Sequence, residues 1–365
     1  MRIAFLVVKN IARGGGIEKY TQELGSRLVS RGHDVTVYSM RHYGQVPAEF
    51  QGMRIVGVRS VRKAAAEKLS TSATAALKVL TGSRYDIVHF HSVAAGAFAW
   101  MARVRREKCV LQMHGLEWKR SRWGKGGAMV LRLLEGLCLR QSHAYTAVSR
   151  TQCDHFAQRG IEMAYIPTGT ELKEPMPPQE ILKLGLEPGR YVLFASRLVA
   201  EKGAHYLIPA FRRLGVDHKL VIAGDVPGAD RYKAELLKLA DGDPRILFPG
   251  FVTGRLLEEL FSHAAVYVQP SEVEGLSIAL LEAMSYGNCC LVSDIPENVE
   301  AIDAAGWTFG NKEINSLAER LAWLLRNPTE ARKTSEQARQ RIRDHYSWDH
   351  ITDQFETLYK GVLSR

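Results

Sequence analysis

Short apolar runs recur along this chain at helix-length intervals, and near residue 190 the whole pattern begins again. Residues 3–8 are a continuous apolar run, Gly14-Gly15-Gly16 breaks it, residues 17–30 carry helical periodicity, and residues 34–39 alternate as a strand. Further apolar runs follow at 54–58, 87–91, 109–113 and 144–149, each separated by enough chain for a helix. Such alternation predicts a parallel sheet with helices on its faces. Glu174-Pro175-Met176-Pro177-Pro178 and Glu187-Pro188-Gly189 then concentrate residues that stop regular structure. After them, strands are expected at 191–196, 219–223, 246–248, 265–269 and 289–293, with helices at 204–214, 231–240, 256–262 and from 277. A chain of 365 residues suits two cores better than one. The expected division is a first domain at 1–172, a linker at 173–188 and a second domain at 189–346, with amphipathic helices filling 316–365.

Several classes are disfavoured at once. No run of 18 apolar residues occurs, and Met1-Arg2-Ile3-Ala4-Phe5 enters a strand pattern instead of a signal-peptide core, so the expected location is cytoplasmic. The five cysteines (Cys109, Cys138, Cys153, Cys289, Cys290) lack metal-ligand spacing and read as buried thiols in a reducing compartment. Charge is unevenly placed: residues 1–172 carry 26 Lys and Arg against 12 Asp and Glu, residues 173–365 carry 23 against 27. The basic first half fits an anionic partner, whether membrane surface, phosphorylated glycan or nucleic acid. Nucleic acid is the weakest of these, because no helix-turn-helix, zinc finger or RNP motif is recognisable.

Three stretches carry candidate chemistry. Gly14-Gly15-Gly16 follows the first strand, where backbone amides at a helix start approach a phosphate without a Cβ in the way. A dinucleotide fingerprint would need glycine where Lys19 stands and an acid near Tyr38-Ser39-Met40, so NAD is disfavoured. Glu274-Gly275-Leu276-Ser277 leads into a helix that bears Glu282, and eight residues at helical rise would separate the two carboxylates by roughly 12 Å. That spacing suits the span from sugar to ribose in a nucleotide-sugar, with the amides of Gly275, Leu276 and Ser277 turned to the diphosphate between them. Ser196-Arg197-Leu198-Val199-Ala200-Glu201-Lys202-Gly203 puts two cations in a loop at the C-terminal edge of the second sheet, where they would neutralise a departing diphosphate. Asp241-Gly242-Asp243, followed by Pro244, reads as a turn and not as a metal site.

With these motifs in order, the chain resembles the retaining glycosyltransferases of the GT-B fold, family 4, also called glycosyl transferases group 1. Gly15-Gly16-Ile17-Glu18 resembles the family's GGxE loop, His114-Gly115 its His-Gly after a strand, Arg197 with Lys202 its basic pair, and Glu274 with Glu282 its E-x7-E. Tyr346-Ser347-Trp348 and the residues to 363 resemble its C-terminal helix. The fold this implies is α/β, GT-B, with two Rossmann-like parallel-sheet domains facing across a cleft and a C-terminal helix crossing back to the first. By the same resemblance Glu274 touches donor-sugar hydroxyls, Glu282 the ribose, Gly15 and Gly16 lie by phosphates and acceptor, Gly250 and Phe251 meet the nucleobase, and His114 contacts the donor sugar. Thr168, Ser196, Leu276 and Ser277 depart from the family's usual residues.

The expected reaction is transfer of a hexose-type sugar from a nucleotide diphosphate-sugar to a hydroxyl of a glycan or lipid-linked acceptor, with no cofactor and no metal. Nucleotide-sugar epimerase and inert glycan-binding protein are the rivals. The stretch Glu117-Trp118-Lys119-Arg120-Ser121-Arg122-Trp123-Gly124-Lys125 packs cations around two tryptophans. Glu18, Trp118, Lys119, Arg120, Arg122 and Trp123 are therefore assigned to the acceptor side or to an anionic membrane surface, with peripheral attachment to the inner face of the cell membrane.

Overall fold

The computed structural model of the chain describes every residue except 13–15, 62–63, 120–123 and 226–229, and omits the side chains of Val7, residues 64–66, Lys119 and Asp230. Gly14, Gly15, Arg120, Arg122 and Trp123, singled out above, lie outside the described residues, as does the side chain of Lys119. The chain divides into two compact units: Met1–Thr168 with Trp348–Arg365, and Gly169–Ser347.

In the first unit the strands are β1 (Arg2–Val8), β2 (Asp34–Met40), β3 (Glu49–Phe50), β4 (Met53–Val58), β5 (Ile87–Phe90), β6 (Lys108–Met113), β7 (Ala144–Ala147) and β8 (Ala164–Tyr165). They form one sheet in the order β3-β4-β2-β1-β5-β6-β7-β8, parallel throughout except where β3 pairs antiparallel with β4. Ile3, Phe5, Val37 and Val110 face one layer of core and Ala4, Leu6, Val88 and Leu111 the other, as expected for a sheet buried on both faces. The C-terminal helix Trp348–Leu363 completes this unit: Trp348, Ile351, Phe355 and Tyr359 join the cluster under the Gly16–Ser30 helix. Arg31 ties the two helices through Asp353 at 2.6 Å and Glu356 at 2.9 Å.

The second unit contains β9 (Tyr191–Ala195), β10 (Lys219–Ala223), β11 (Ile246–Gly250), β12 (Val266–Gln269), β13 (Cys290–Ser293) and β14 (Trp307–Phe309). They pair in parallel in the order β11-β10-β9-β12-β13-β14. Counted from β9, this is the doubly wound order 3-2-1-4-5-6.

The boundaries differ from the sequence reading. Residues 169–172 belong to the second unit, where the Thr170 amide donates to the Tyr346 carbonyl at 2.8 Å. Residues 173–188 are not a linker: Ile181 and Leu186 are fully buried in the second core. The wholly buried Glu259 carboxylate accepts from the amides of Gln179, Glu180 and Ile181 at 2.8, 2.6 and 3.1 Å and from Arg255 at 2.7 Å. The prolines correctly mark an end of regular structure, but a segment without a ladder of its own still packs when a buried acceptor satisfies its amides. Four cysteines are buried as expected, and Cys153 is half-buried.

Candidate active site

In the second sheet β9 and β12 are neighbours, and their connections leave in opposite directions, so the loops beyond their C-terminal ends open a crevice. The loop after β9 turns through Ala200–Lys202 and stops at Gly203, whose φ of +74° is left-handed. A Cβ at Gly203 would stand 1.8 Å from the Pro270 carbonyl oxygen, so only glycine lets the two loops close on each other. The Glu272 amide then donates to the Glu201 carbonyl at 2.9 Å.

This contact brings Lys202 to Glu274. Their side chains are 12% and 7% exposed, and Nζ lies 2.5 Å from Oε1. Arg197, half exposed, reaches Glu201 at 3.5 Å. The sequence assigned Lys202 to the leaving group and Glu274 to the sugar as separate parts, whereas the fold makes them one ion pair. A ligand offering both a phosphate and a hydroxyl would satisfy each partner in place of the other.

Beyond Glu274 the chain remains irregular until Ile278–Ser285, where Ser277 is the N-cap. Ser277 Oγ accepts from the Leu280 amide at 3.3 Å and donates to Gln269 Oε1 at 2.6 Å. Gln269 Nε2 in turn donates to Asn298 Oδ1 at 2.8 Å, and Asn298 donates to Ser293 Oγ at 3.0 Å. All four residues are buried, so this satisfied chain of polar groups holds the loop from beneath. The 12 Å helical spacing expected between Glu274 and Glu282 does not apply, because half the interval is loop. Both carboxylates nevertheless act on one buried phenol: Tyr267 is pushed well above its ordinary pKa by burial and then by Cys290, Glu274 and Glu282. Gly275 is buried and Leu276 half-buried. Gly250, at φ +78°, ends β11 and leaves Phe251 69% exposed at the same edge of the sheet.

Asp241-Gly242-Asp243 is a turn, as read. It precedes β11, at the opposite edge, and Asp241 pairs with Arg212 at 2.8 Å and Asp243 with Arg245 at 2.7 Å.

The first sheet has its own divergence point, between β1 and β5. His114 follows β6, with Nε2 3.4 Å from His91 Nδ1 and its ring edge-on to Tyr20 at 5.0 Å. His91 Nε2 meets Thr21 Oγ1 at 3.3 Å. His89 lies between Tyr359 OH at 2.6 Å and Gln112 Oε1 at 3.1 Å, and Gln112 Nε2 donates to Tyr20 OH at 2.7 Å. Since that amide presents its oxygen to His89, Nε2 carries the ring proton and Nδ1 accepts from Tyr359. Burial and then His91 hold His89 well below the usual histidine range; burial and then His114 do the same to His91. Burial thus favours the neutral form of both rings. The sequence reading passed over His89, His91 and Gln112; the only visible signal is histidine at alternate positions in His89-Phe90-His91.

Gly16 opens the Gly16–Ser30 helix, and Glu18 in its first turn is buried, accepting from the Lys9 amide at 3.0 Å. This bond ties the residue after β1 to the first turn of the helix. Trp118 is likewise engaged: its Nε1 donates to the buried Glu135 at 3.1 Å and Arg132 lies over its ring at 4.2 Å, so it is no free interfacial indole.

A divided chain with two Rossmann-like sheets, a carboxylate–ammonium pair at a switch point and a C-terminal helix returned to the first unit defines a GT-B glycosyltransferase. The model for glycosyl transferases group 1 matches residues 179–341, and that for glycosyltransferase family 4 matches residues 14–174. The chain belongs to this family of glycosyltransferases. It is 28% identical to α-maltose-1-phosphate synthase of Mycobacterium tuberculosis, over 80% of this chain and 85% of that protein. Its fold is that of sucrose-phosphate synthase from Thermosynechococcus elongatus, with a TM-score of 0.85, 20% identity and coverage of 100% and 99% of the two chains. Anabaena Alr3699/HepE, solved with UDP-glucose, gives a TM-score of 0.83 at 19% identity, covering 99% of this chain and 100% of that one.

Proposed function

We propose that this glycosyltransferase is a retaining, metal-independent enzyme that moves a hexose-type sugar from a nucleotide diphosphate-sugar to a hydroxyl of a glycan or lipid-linked acceptor, in assembly of surface polysaccharide or glycolipid at the inner face of the cell membrane. The observation that carries the donor half is the Lys202–Glu274 pair at the switch point of the second sheet. On donor binding Lys202 and Arg197 turn to the diphosphate, Glu274 accepts from sugar hydroxyls, and Glu282 takes the ribose. The bond from the anomeric carbon to phosphate oxygen breaks, with its electron pair leaving on the diphosphate. The acceptor oxygen bonds to the same face of that carbon, and its proton passes to the departing phosphate oxygen, giving a glycoside and a nucleoside diphosphate. The basic first half supports an anionic acceptor or surface.

Thermal stabilisation across a panel of UDP-, GDP- and ADP-sugars identifies the donor, because a ligand bound only by the folded state raises Tm. NMR of the product then reads the anomeric configuration; inversion overturns the retaining mechanism, and sugar isomerisation without transfer overturns the reaction.

A further inference from the structure

The helix Lys125–Gln141 is built inside out on one side. Its inner face is ordinary core: Leu131, Cys138 and Leu139 are buried, and its single acid, Glu135, is buried against Trp118 and Arg159, the latter at 2.6 Å. Its outer face carries Met129, Val130, Leu133 and Leu137, which are between 45% and 66% exposed. At 3.6 residues per turn these four fall within an arc of about 100°. Four large apolar side chains in one stripe form a continuous patch rather than the scattered exposure found on any protein surface.

The charges beside the stripe are all positive among the described residues of the helix: Lys125 and Arg132 flank one side, and Arg140 closes its C-terminal end, all exposed. The adjoining helix Ala99–Val104 extends the patch. Arg103 donates to the Arg140 and Gln141 carbonyls at 3.3 Å, fixing the two helices together, and leaves Trp100 and Val104 about half to two-thirds exposed. A two-fold pairing of this face with a second copy would set cation against cation. Lys and Arg stems beside an apolar stripe instead let the stripe sink among acyl chains while the charges stay level with headgroups.

We infer that the outer face of Lys125–Gln141, with Met129, Leu133 and Leu137 as its apolar contacts and Lys125, Arg132 and Arg140 as its cations, docks this protein onto an anionic lipid bilayer. This deepens the membrane part of the proposed function and moves the contact from Trp118, which is spent internally, to a helix face. Donor chemistry in the second unit is independent of it.

The test is flotation of the full chain with vesicles of phosphatidylcholine alone and of phosphatidylcholine with phosphatidylglycerol, at low and high salt. Wild type is expected to float only with the anionic vesicles, and less at high salt. Met129→Ser with Leu133→Ser, which leaves every cation in place, is expected to lower partitioning by about tenfold or more, with Tm unchanged. Lys125→Ser with Arg140→Ser is expected to abolish the preference for anionic vesicles. Wild type that fails to float, an apolar variant that floats as well as wild type, or a wild-type dimer in light scattering that the apolar variant turns into monomer would each overturn the inference. The thermal shift with the donor panel, measured on the same samples, reports separately on the donor reading, so failure of one is not mistaken for failure of the other.

Discussion

The two switch points use one architectural device for opposite chemistry. In the second sheet, diverging loops bring charges together: Lys202 to Glu274, Arg197 to Glu201 and Lys312 to Glu272 at 2.7 Å. In the first, His89 and His91 at the end of β5 lie buried beside Tyr20 of the Gly16–Ser30 helix, and burial favours the neutral form of both histidines. The overall charge of each half runs the other way, since the first is strongly basic and the second slightly acidic. Net charge therefore says where an anionic surface or acceptor would be attracted, while local pairing says where a diphosphate would be handled.

The largest effect should come from breaking the charged side. Lys202→Ala and Glu282→Ala are expected to lower donor-dependent turnover by about 10- to 150-fold, the worth of one charged hydrogen-bond partner, on the order of 1.5–3 kcal/mol. Initial rates with the cognate donor check this; wild-type turnover in both variants would remove the charged site from the comparison.

Next comes the anchor beneath the second unit. Burial raises the Glu259 carboxyl, but the amides of residues 179–181 and Arg255 outweigh burial and hold its pKa at about 2. A depressed folded pKa contributes stability that is present above the ordinary value of about 4.5 and is lost as pH falls toward about 2. Glu259→Gln is expected to lower stability at neutral pH by about 1–3 kcal/mol and to flatten the loss between those two values. Chemical denaturation at a series of pH values reads both.

A smaller effect of the same sign belongs to the first unit. His89 and His91 stay neutral when folded but protonate near pH 6.5 when unfolded, so their contribution is intact above that pH and declines below it, by at most about 1.4 kcal/mol per pH unit for each ring. In His89→Gln the slope of stability against pH just below 6.5 should shrink. An unchanged slope would mean the ring takes up its proton as readily folded as unfolded, and the contrast between the two switch points fails.

The smallest expected effect is none. Excess chelator should leave transfer intact, with the cations of the second unit serving the leaving group; activity lost and then restored by Mg²⁺ or Mn²⁺ would show that Asp241-Gly242-Asp243 or other ligands had been misread.

Much of this was written in local pattern. The periods of hydrophobicity located the strands from β1 to β13 except the two-residue β3 and β8, and β14 is too short, at three residues beside Gly306 and Gly310, to show a period. Glu274, Glu282, Arg197 and Lys202 were visible because a glycine-flanked loop at the edge of an expected sheet is a local signal. Hidden were the partners. Lys202 meets Glu274 across 72 residues, Glu259 holds residues about 80 positions away, and His89 reaches Tyr359 across 270. Glu18 and Trp118 looked available because sequence shows residue type and not direction; in the fold Glu18 is buried on the Lys9 amide, and the half-buried Trp118 gives its N–H to Glu135. The same blindness hides which of the apolar residues of Lys125–Gln141 face the core. A residue's chemistry and its local period are properties of the chain, but strand order decides which loops adjoin, and the packed layers decide which face of a helix is left to solvent.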